Sequence, residues 1–274
     1  MRSPAGIALD LLARNEDHRY GPHRQHRADL YVPRDSGAPY PVVVLVHGGY
    51  WRAFYGKIVM KPLAADLVRR GFAVWNIEYR RLGRHQGGGY PMTFDDVAAA
   101  IDHLAELDDP RLDLGDVTFV GHSAGGHLAL WAASRDGDAR VGPARVIAQA
   151  PITDLVACGP PAYALMGGEP RALPERYAAC DPMQLLPVGV PLLLVHGADD
   201  ATIPVARTRT YAEAARAAGD EVHLIEPQPG GHRSHIDPRS NAWRTAVDWL
   251  EATQAQAEDG AVFKKRAISP PGAR

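Results

Sequence analysis

The sequence predicts an α/β fold: a mostly parallel central sheet with helices on both faces and a small cap insertion. Three observations carry this. The run 40–46 (Tyr-Pro-Val-Val-Val-Leu-Val) is continuously apolar and rich in β-branched residues, as strands buried on both faces are. Strand-like runs alternate with helix-periodic segments, an order that implies right-handed crossovers between parallel strands. The stretch 117–131 reads as strand, tight turn and helix, with one serine, Ser123, at its tip.

The elements follow in order. Leu9 to Ala13 predicts a short strand. Arg27 to Val32 alternates polar and apolar residues and stops at Pro33, which suggests an edge strand. After the strand 40–46, Pro62 can open a helix that Gly71 closes, with Leu63, Leu67 and Val68 as its apolar face. Phe72 to Ile77 predicts the next strand. Thr93 can cap a helix with Asp96 three residues on, and Phe94, Val97, Ile101 and Leu104 keep helical spacing. Val117 to Val120 and Arg145 to Ala148 are strands around the Ser123 turn and its helix. Leu155 to Leu186, rich in Pro, Gly and Ala, breaks the alternation and reads as a small insertion over the sheet's C-terminal edge. Val190 to Val195 and Glu221 to Ile225 are strands, separated by a helix from about Pro204 to Ala218. A last helix starts near Pro238 with Trp243, Val247 and Leu250 on one face. Residues 1–254 are expected to form one domain with 155–186 as its insertion, and 255–274 a disordered tail.

A chain of 274 residues, 46% hydrophobic, can bury a full core. Its formal net charge is −2 and its basic residues are scattered, so nucleic acid is not an implied partner. The two cysteines, Cys158 and Cys180, are too few for a disulfide framework and lack metal-type Cys/His spacing. No run approaches the ~18 apolar residues of a membrane span, and Arg2, Asp10, Arg14 and Glu16 interrupt the N-terminal segment. The expectation is a soluble, cytoplasmic protein without metal or cofactor, since no phosphate loop or dinucleotide fingerprint occurs.

The chemistry centres on Gly121-His122-Ser123-Ala124-Gly125, a G-x-S-x-G pattern between strand and helix. Side chains at Gly121 and Gly125 would collide with the neighbouring helix and strand, and the helix N-terminus behind Ser123 favours negative charge beside it. A serine hydroxyl needs a base within hydrogen-bond reach, and the base needs an orienting acid. Downstream of Ser123 stand Asp199 and Asp200, then His232 and His235, each in a loop after a predicted strand. The order Ser, acid, His is one in which such triads occur.

With these residues the chain resembles the α/β-hydrolase superfamily, and within it small bacterial esterases and kynurenine formamidase-like enzymes. The resemblance runs from Tyr20 to Leu250. It implies that His47-Gly48-Gly49 supplies oxyanion-hole amides and that Trp51 completes an H-G-G-x-W form, although Tyr50 stands where lipases carry a third glycine. It implies Asp200 as the acid, because His196-Gly197 to Ile203-Pro204 fits the family's H-G-x-x-D-x-x-V-P, with Asp199 the alternative. It favours His232 over His235 as the base, because Gly230-Gly231 precedes it and Asp237-Pro238 follows five residues on. Arg233 departs from the phenylalanine usual in formamidases and puts that substrate in question. The oxyanion hole would then comprise backbone N–H groups of Gly48, Gly49 and Ala124. Tyr50 and Trp51 are candidates for the substrate pocket, with Trp51 alternatively a packing anchor. His47 is expected to brace the oxyanion loop, and Asp154 the insertion. The implied activity is a serine hydrolase cleaving a small-molecule ester or aryl formamide through an acyl-enzyme. A non-catalytic ligand-binding protein of the same fold and a small peptidase are the alternatives.

Overall fold

The computed structural model describes residues 15–268, apart from 36, 136 and 138. Eight strands form one sheet: β1 (Glu16–Arg19), β2 (Arg27–Tyr31), β3 (Tyr40–Val46), β4 (Ala73–Ile77), β5 (Leu112–His122), β6 (Arg145–Gln149), β7 (Leu192–Val195) and β8 (Val222–Ile225). Their order is β1-β2-β4-β3-β5-β6-β7-β8. The β1–β2 and β2–β4 pairs are antiparallel and the remaining pairs are parallel.

β3 sits where its composition demands. Val42 through Val46 are fully buried, Val42, Val44 and Val46 joining one apolar cluster and Val43 and Leu45 the other. Alternate residues of a strand point to opposite faces, so a strand covered on both sides must be apolar at every position. The two clusters show what covers each face. One contains α1 (Lys61–Arg69) and the start of α8 (Asn241–Ile268). The other contains α2 (Met92–Asp102), α3 (Ala124–Ala133) and α7 (Val205–Ala217).

Helix ends follow local chemistry. Gly71 terminates α1 at φ +92°, with Phe72 N–H donating to the Leu67 carbonyl (3.1 Å) and Gly71 N–H to that of Val68 (3.2 Å). This is the paired 6→1 and 5→2 closure that a left-handed glycine permits. Ser240 caps α8 by accepting from the Trp243 N–H at 3.0 Å.

Two expectations change, at β2 and at Thr93. β2 is not an edge, because β1 covers it; β1 (Glu-Asp-His-Arg) is polar and gives no apolar signal. The strand expected at Leu9 to Ala13 lies outside the described residues. Thr93 does not cap α2: that helix starts at Met92, and the Thr93 hydroxyl donates to the Arg80 carbonyl (2.6 Å) and accepts from Gly89 N–H (2.9 Å). Asp96 is drawn away to the Arg80 guanidinium (2.6 Å) and His26 (2.9 Å), stronger partners than a backbone N–H. α8 runs on to Ile268, past Thr253, where the helical spacing of Trp243, Val247 and Leu250 stops. Alanine, glutamine and glutamate there favour helix without any apolar period to announce it. Residues 269–274 lie outside the description.

The segment 155–186 folds as three short helices, α4 (Leu155–Cys158), α5 (Pro160–Met166) and α6 (Pro174–Cys180). Leu155, Leu165, Met166 and Tyr177 join the main core. The segment is tied to α3, whose His127 Nε2–H donates to the Cys180 carbonyl (3.0 Å) and Trp131 Nε1–H to that of Ala179 (3.2 Å). Asp154 caps α4 through the Ala157 N–H at 2.7 Å, the bracing role expected of it.

Candidate active site

The site is assembled from loops at the C-terminal ends of β3, β5, β7 and β8. Parallel strands gather their C-terminal loops at one sheet end, and ligands bind in the crevice there. Ser123 lies between β5 and α3 at φ 57°, ψ −120°, a region that side chains rarely occupy. Three hydrogen bonds hold it there: Ser123 N–H donates to the Gln149 carbonyl (2.8 Å), and the Ser123 carbonyl accepts from His127 (3.1 Å) and Ile152 (3.3 Å). The two flanking glycines are required by contact. A Cβ at Gly121 would lie 2.1 Å from the Gly125 carbonyl oxygen, and one at Gly125 2.1 Å from that of Val46.

A continuous hydrogen-bonded chain starts at this serine. The Ser123 hydroxyl is 3.0 Å from His232 Nε2, and His232 Nδ1–H donates to Asp200 Oδ2 at 2.7 Å. Asp200 is saturated. Its Oδ1 accepts from the Thr202 (2.7 Å) and Ile203 (3.0 Å) N–H groups, and its Oδ2 also takes His196 Nε2–H at 3.1 Å. Burial opposes ionisation here. The N–H groups of Ile203, His232 and Thr202 outweigh it and hold the Asp200 carboxyl below the usual carboxylate range. The His196 tautomer follows from its partners. Nε2 faces two acceptors, Asp200 and the Ile203 carbonyl (3.0 Å), so it carries the proton, and Nδ1 accepts from the Thr208 hydroxyl (2.7 Å).

The alternatives fall elsewhere. Asp199 Oδ1 accepts from the Gly230 N–H (2.8 Å) and so braces the loop that carries His232, without touching the imidazole. His235 is fully buried, and neither ring nitrogen has a hydrogen-bond partner among the described residues. Burial, with the neighbouring histidines, pushes its pKa well below that of a free imidazole. Its carbonyl accepts from Gln149 Nε2 at 3.1 Å, which locks the turn beneath His232. The Asp200 and His232 loops meet at two glycines: a Cβ at Gly197 would stand 1.6 Å from the Gly230 carbonyl oxygen.

Gly48 passes directly against Ser123, and Gly49 follows it along the cavity wall. A Cβ at Gly48 would approach the His122 carbonyl oxygen to 2.6 Å and Ser123 Cβ to 3.0 Å. Gly49 has φ +115°, and a Cβ there would strike the Tyr55 ring at 2.6 Å. Behind them His47 is clamped, as expected of it. Its Nε2–H donates to Glu78 Oε1 (2.8 Å), its ring stacks on Tyr79 at 4.3 Å, and the Tyr79 hydroxyl donates to the His47 carbonyl (2.7 Å). Opposing its burial, the His47 ring and Arg81 hold the Glu78 carboxyl below its ordinary range. Ala124 begins α3, where a first-turn N–H has no intrahelical acceptor.

A cavity of about 210 Å³ opens on Ser123 and His232, lined also by Gly48, Gly49, Tyr50, Tyr55, Arg233 and Ile236. Tyr50 is therefore in the pocket, and Trp51 is not. Both have left-handed backbones (φ 50° and 57°), and this reversal sends the indole into the core. Trp51 is fully buried, edge-on to His127 at 5.3 Å. His122, beneath the elbow, donates from Nε2 to the His232 carbonyl at 2.9 Å; burial and the His232 ring push its pKa down to about 3.

Sequence reasoning missed Glu78, Tyr79, His196, Tyr55 and Ile236. Glu78 could have been suspected, since it directly follows β4, the strand beside β3. His196 stood within the quoted motif.

The BD-FAE family matches residues 28–214, more than half of the chain and inclusive of the serine elbow and the Asp200 loop. This chain belongs to the BD-FAE family. The BD-FAE chain is 27% identical over 240 residues to a probable isoprenylcysteine alpha-carbonyl methylesterase of Oryza sativa subsp. japonica, covering 75% of this chain and 55% of that protein. It is 29% identical over 117 residues to a kynurenine formamidase of Danio rerio, covering 43% of this chain and 38% of that protein. It thus spans little more than half of the rice protein and less of the fish protein. The structure of esterase B from Lactobacillus rhamnosis superposes with a TM-score of 0.76 at 20% identity, over 92% of this chain and 88% of that one. The α/β-hydrolase fold of this BD-FAE member is thereby shown. No helix among the described residues is long and apolar enough to cross a membrane.

Proposed function

We propose that this protein is a serine hydrolase that cleaves a small ester or an aryl formamide through an acyl-enzyme. One observation carries the reading: the Ser123–His232–Asp200 chain, at 3.0 and 2.7 Å, opens into a cavity walled by Gly48 and Gly49. The esterase and formamidase relatives support the substrate class.

The geometry gives each group a task. Asp200 holds Nδ1 protonated, leaving Nε2 to accept. As the Ser123 oxygen attacks the carbonyl carbon, its proton passes to His232 Nε2. The carbonyl oxygen becomes an oxyanion held by the N–H groups of Gly49 and Ala124, with Gly48 adjacent. These donors are backbone, so their positions are set by the fold before substrate arrives, and one such donor is worth about 10²–10³ in rate. His232 then protonates the departing alcohol or amine as the carbon–oxygen or carbon–nitrogen bond breaks. Water repeats the sequence on the acyl-enzyme, giving up its proton to His232 and releasing the acid with Ser123 reprotonated. The cavity walls, Tyr55, Val59 and Ile236, suit a small apolar group.

The test is turnover of p-nitrophenyl acetate and of N-formylkynurenine by the wild type and by Ser123→Ala. The wild type turns over at least one of them, and the variant loses about 10⁴-fold or more in kcat. No turnover in the wild type, or turnover that survives in Ser123→Ala, defeats the proposal.

A further inference from the structure

A second cavity, of about 130 Å³, adjoins the first and shares Tyr50 and Thr202 with it. Their walls differ in chemistry. The first cavity has apolar walls in Tyr55, Val59 and Ile236, with Arg233 beside them, whereas the second brings Thr153, Asp154 and Arg207 together. Arg207 stands in the first turn of α7, half-buried. The other two arginines of that helix are satisfied: Arg209 Nε donates to Glu226 (2.6 Å), and Arg216 Nη2 to the Val222 carbonyl (3.0 Å). The Arg207 guanidinium has neither an ion pair nor a hydrogen bond among the described residues, although Asp154 faces the same cavity. Asp154 is already engaged, its Oδ1 capping α4 through the Ala157 N–H at 2.7 Å.

A guanidinium drawn partly out of water with no protein partner favours an anion in the space before it, and its planar donors match a carboxylate in two-pronged fashion. We propose that the second cavity is a subsite for a carboxylate carried by the substrate, with Arg207 as its counter-ion. The inference rests on the hydrolase reading above, since it places the scissile carbonyl at Ser123 and the carboxylate across Tyr50. The Tyr50 hydroxyl offers a further donor, while the Thr153 hydroxyl, already donating to the Arg207 carbonyl at 3.4 Å, helps to fix that residue. Asp154 narrows the choice: beside a fixed carboxylate, one negative charge is tolerated better than two. The subsite therefore suits a monoanion such as a carboxylate over a phosphate dianion.

Two matched pairs of esters test it. On the acyl side, mono-4-nitrophenyl glutarate is compared with 4-nitrophenyl pentanoate. On the leaving-group side, 4-acetoxyphenylacetate is compared with 4-acetoxyphenylacetamide. The readout is the ratio of kcat/KM for carboxylate over neutral ester. In at least one pair the wild type favours the carboxylate, and Arg207→Gln lowers the ratio by about ten- to a hundredfold, the worth of a charge-assisted hydrogen-bonded pair. Arg207→Lys, which keeps the charge and loses the fork, lowers it less. A ratio that Arg207→Gln leaves unchanged in both pairs overturns the proposal while leaving the hydrolase reading intact. If the wild type cleaves no ester, the hydrolase reading fails, and calorimetric titration decides the subsite. Ser123→Ala protein should then bind 3-phenylpropanoate more tightly than 3-phenylpropanamide, and the double variant with Arg207→Gln should not. Equal binding of acid and amide by Ser123→Ala overturns the subsite.

Discussion

Replacing Asp200 by asparagine should nearly abolish catalysis while leaving the shape of the site in place. Each Asp200 oxygen accepts two N–H groups: Thr202 (2.7 Å) and Ile203 (3.0 Å) at Oδ1, His232 (2.7 Å) and His196 (3.1 Å) at Oδ2. An asparagine in either orientation turns its NH₂ toward two donors. If the NH₂ faces the loop N–H groups, the Asp200 turn loosens. If it faces the rings, His232 must shed its Nδ1 proton and carry it on Nε2, where it can no longer accept from Ser123. The wrong tautomer in such a triad costs about 10⁴ in kcat, or ~5.5 kcal/mol of transition-state stabilisation. Stability should fall by roughly 1–3 kcal/mol from the unsatisfied buried donors. The assay is steady-state hydrolysis of p-nitrophenyl acetate at pH 7.5, with chemical denaturation in parallel. Asp199→Asn is the control: its partner is the Gly230 N–H, which an amide oxygen serves as well, so kcat should change less than tenfold. If Asp200→Asn keeps a tenth or more of wild-type kcat, or Asp199→Asn is the worse of the two, the assignment of the acid is refuted.

Three further outcomes are expected. Gly197→Ala must push the Asp200 and His232 loops apart, because its Cβ would lie 1.6 Å from the Gly230 oxygen. A displacement near 1 Å in a reacting array costs about 10²-fold, so kcat should fall by that order, and an unimpaired variant contradicts the packing. Glu78→Ala leaves the buried His47 Nε2–H without its 2.8 Å acceptor and frees the loop of Gly48 and Gly49. Melting temperature and kcat should both drop with KM little altered, and an unaffected kcat shows that the clamp is irrelevant to the loop. Acid should destabilise the protein early. His122 and His127 are held neutral by burial, at about 3 and about 4, while their unfolded forms take protons near 6.5. Between those values the unfolded chain binds more protons, so stability falls as pH drops below 6.5, by about 1.4 kcal/mol per unit for each such histidine. Asp200 adds to the loss further down, as pH passes below the ordinary carboxylate range toward its depressed value. Denaturation midpoints from pH 7.5 to 4 read this slope, and a flat profile contradicts it.

What the sequence disclosed depended on how local each signal was. Ser123 was legible because its strand, its glycines and its helix lie within fifteen consecutive residues and each serves the same turn. The sheet interior was legible because burial on both faces leaves no room for a polar residue in β3. The partners of Ser123 were legible as types and as an order, with His232 favoured over His235 by its flanking Gly230-Gly231 and Asp237-Pro238; the two share one 3₁₀ turn, and the packing shows that the His232 ring reaches Ser123. Trp51 stood open between pocket wall and packing anchor because an aromatic beside glycines can serve either, and two left-handed residues in succession turn it inward. β1 was silent because a polar strand at a sheet edge needs no pattern. The clamp of Glu78 on His47 spans 31 residues, and no spacing rule reaches across it.

In the proposed mechanism Ser123 Oγ is the atom that becomes acylated. Acid-quenched p-nitrophenyl acetate reactions, digested and read by peptide mass spectrometry, test it directly. One acetyl group is expected on the peptide containing Ser123, appearing with the burst of p-nitrophenol and lost at the steady-state rate. Turnover with no acetyl at Ser123, or with the acetyl on another residue at the same rate, contradicts it.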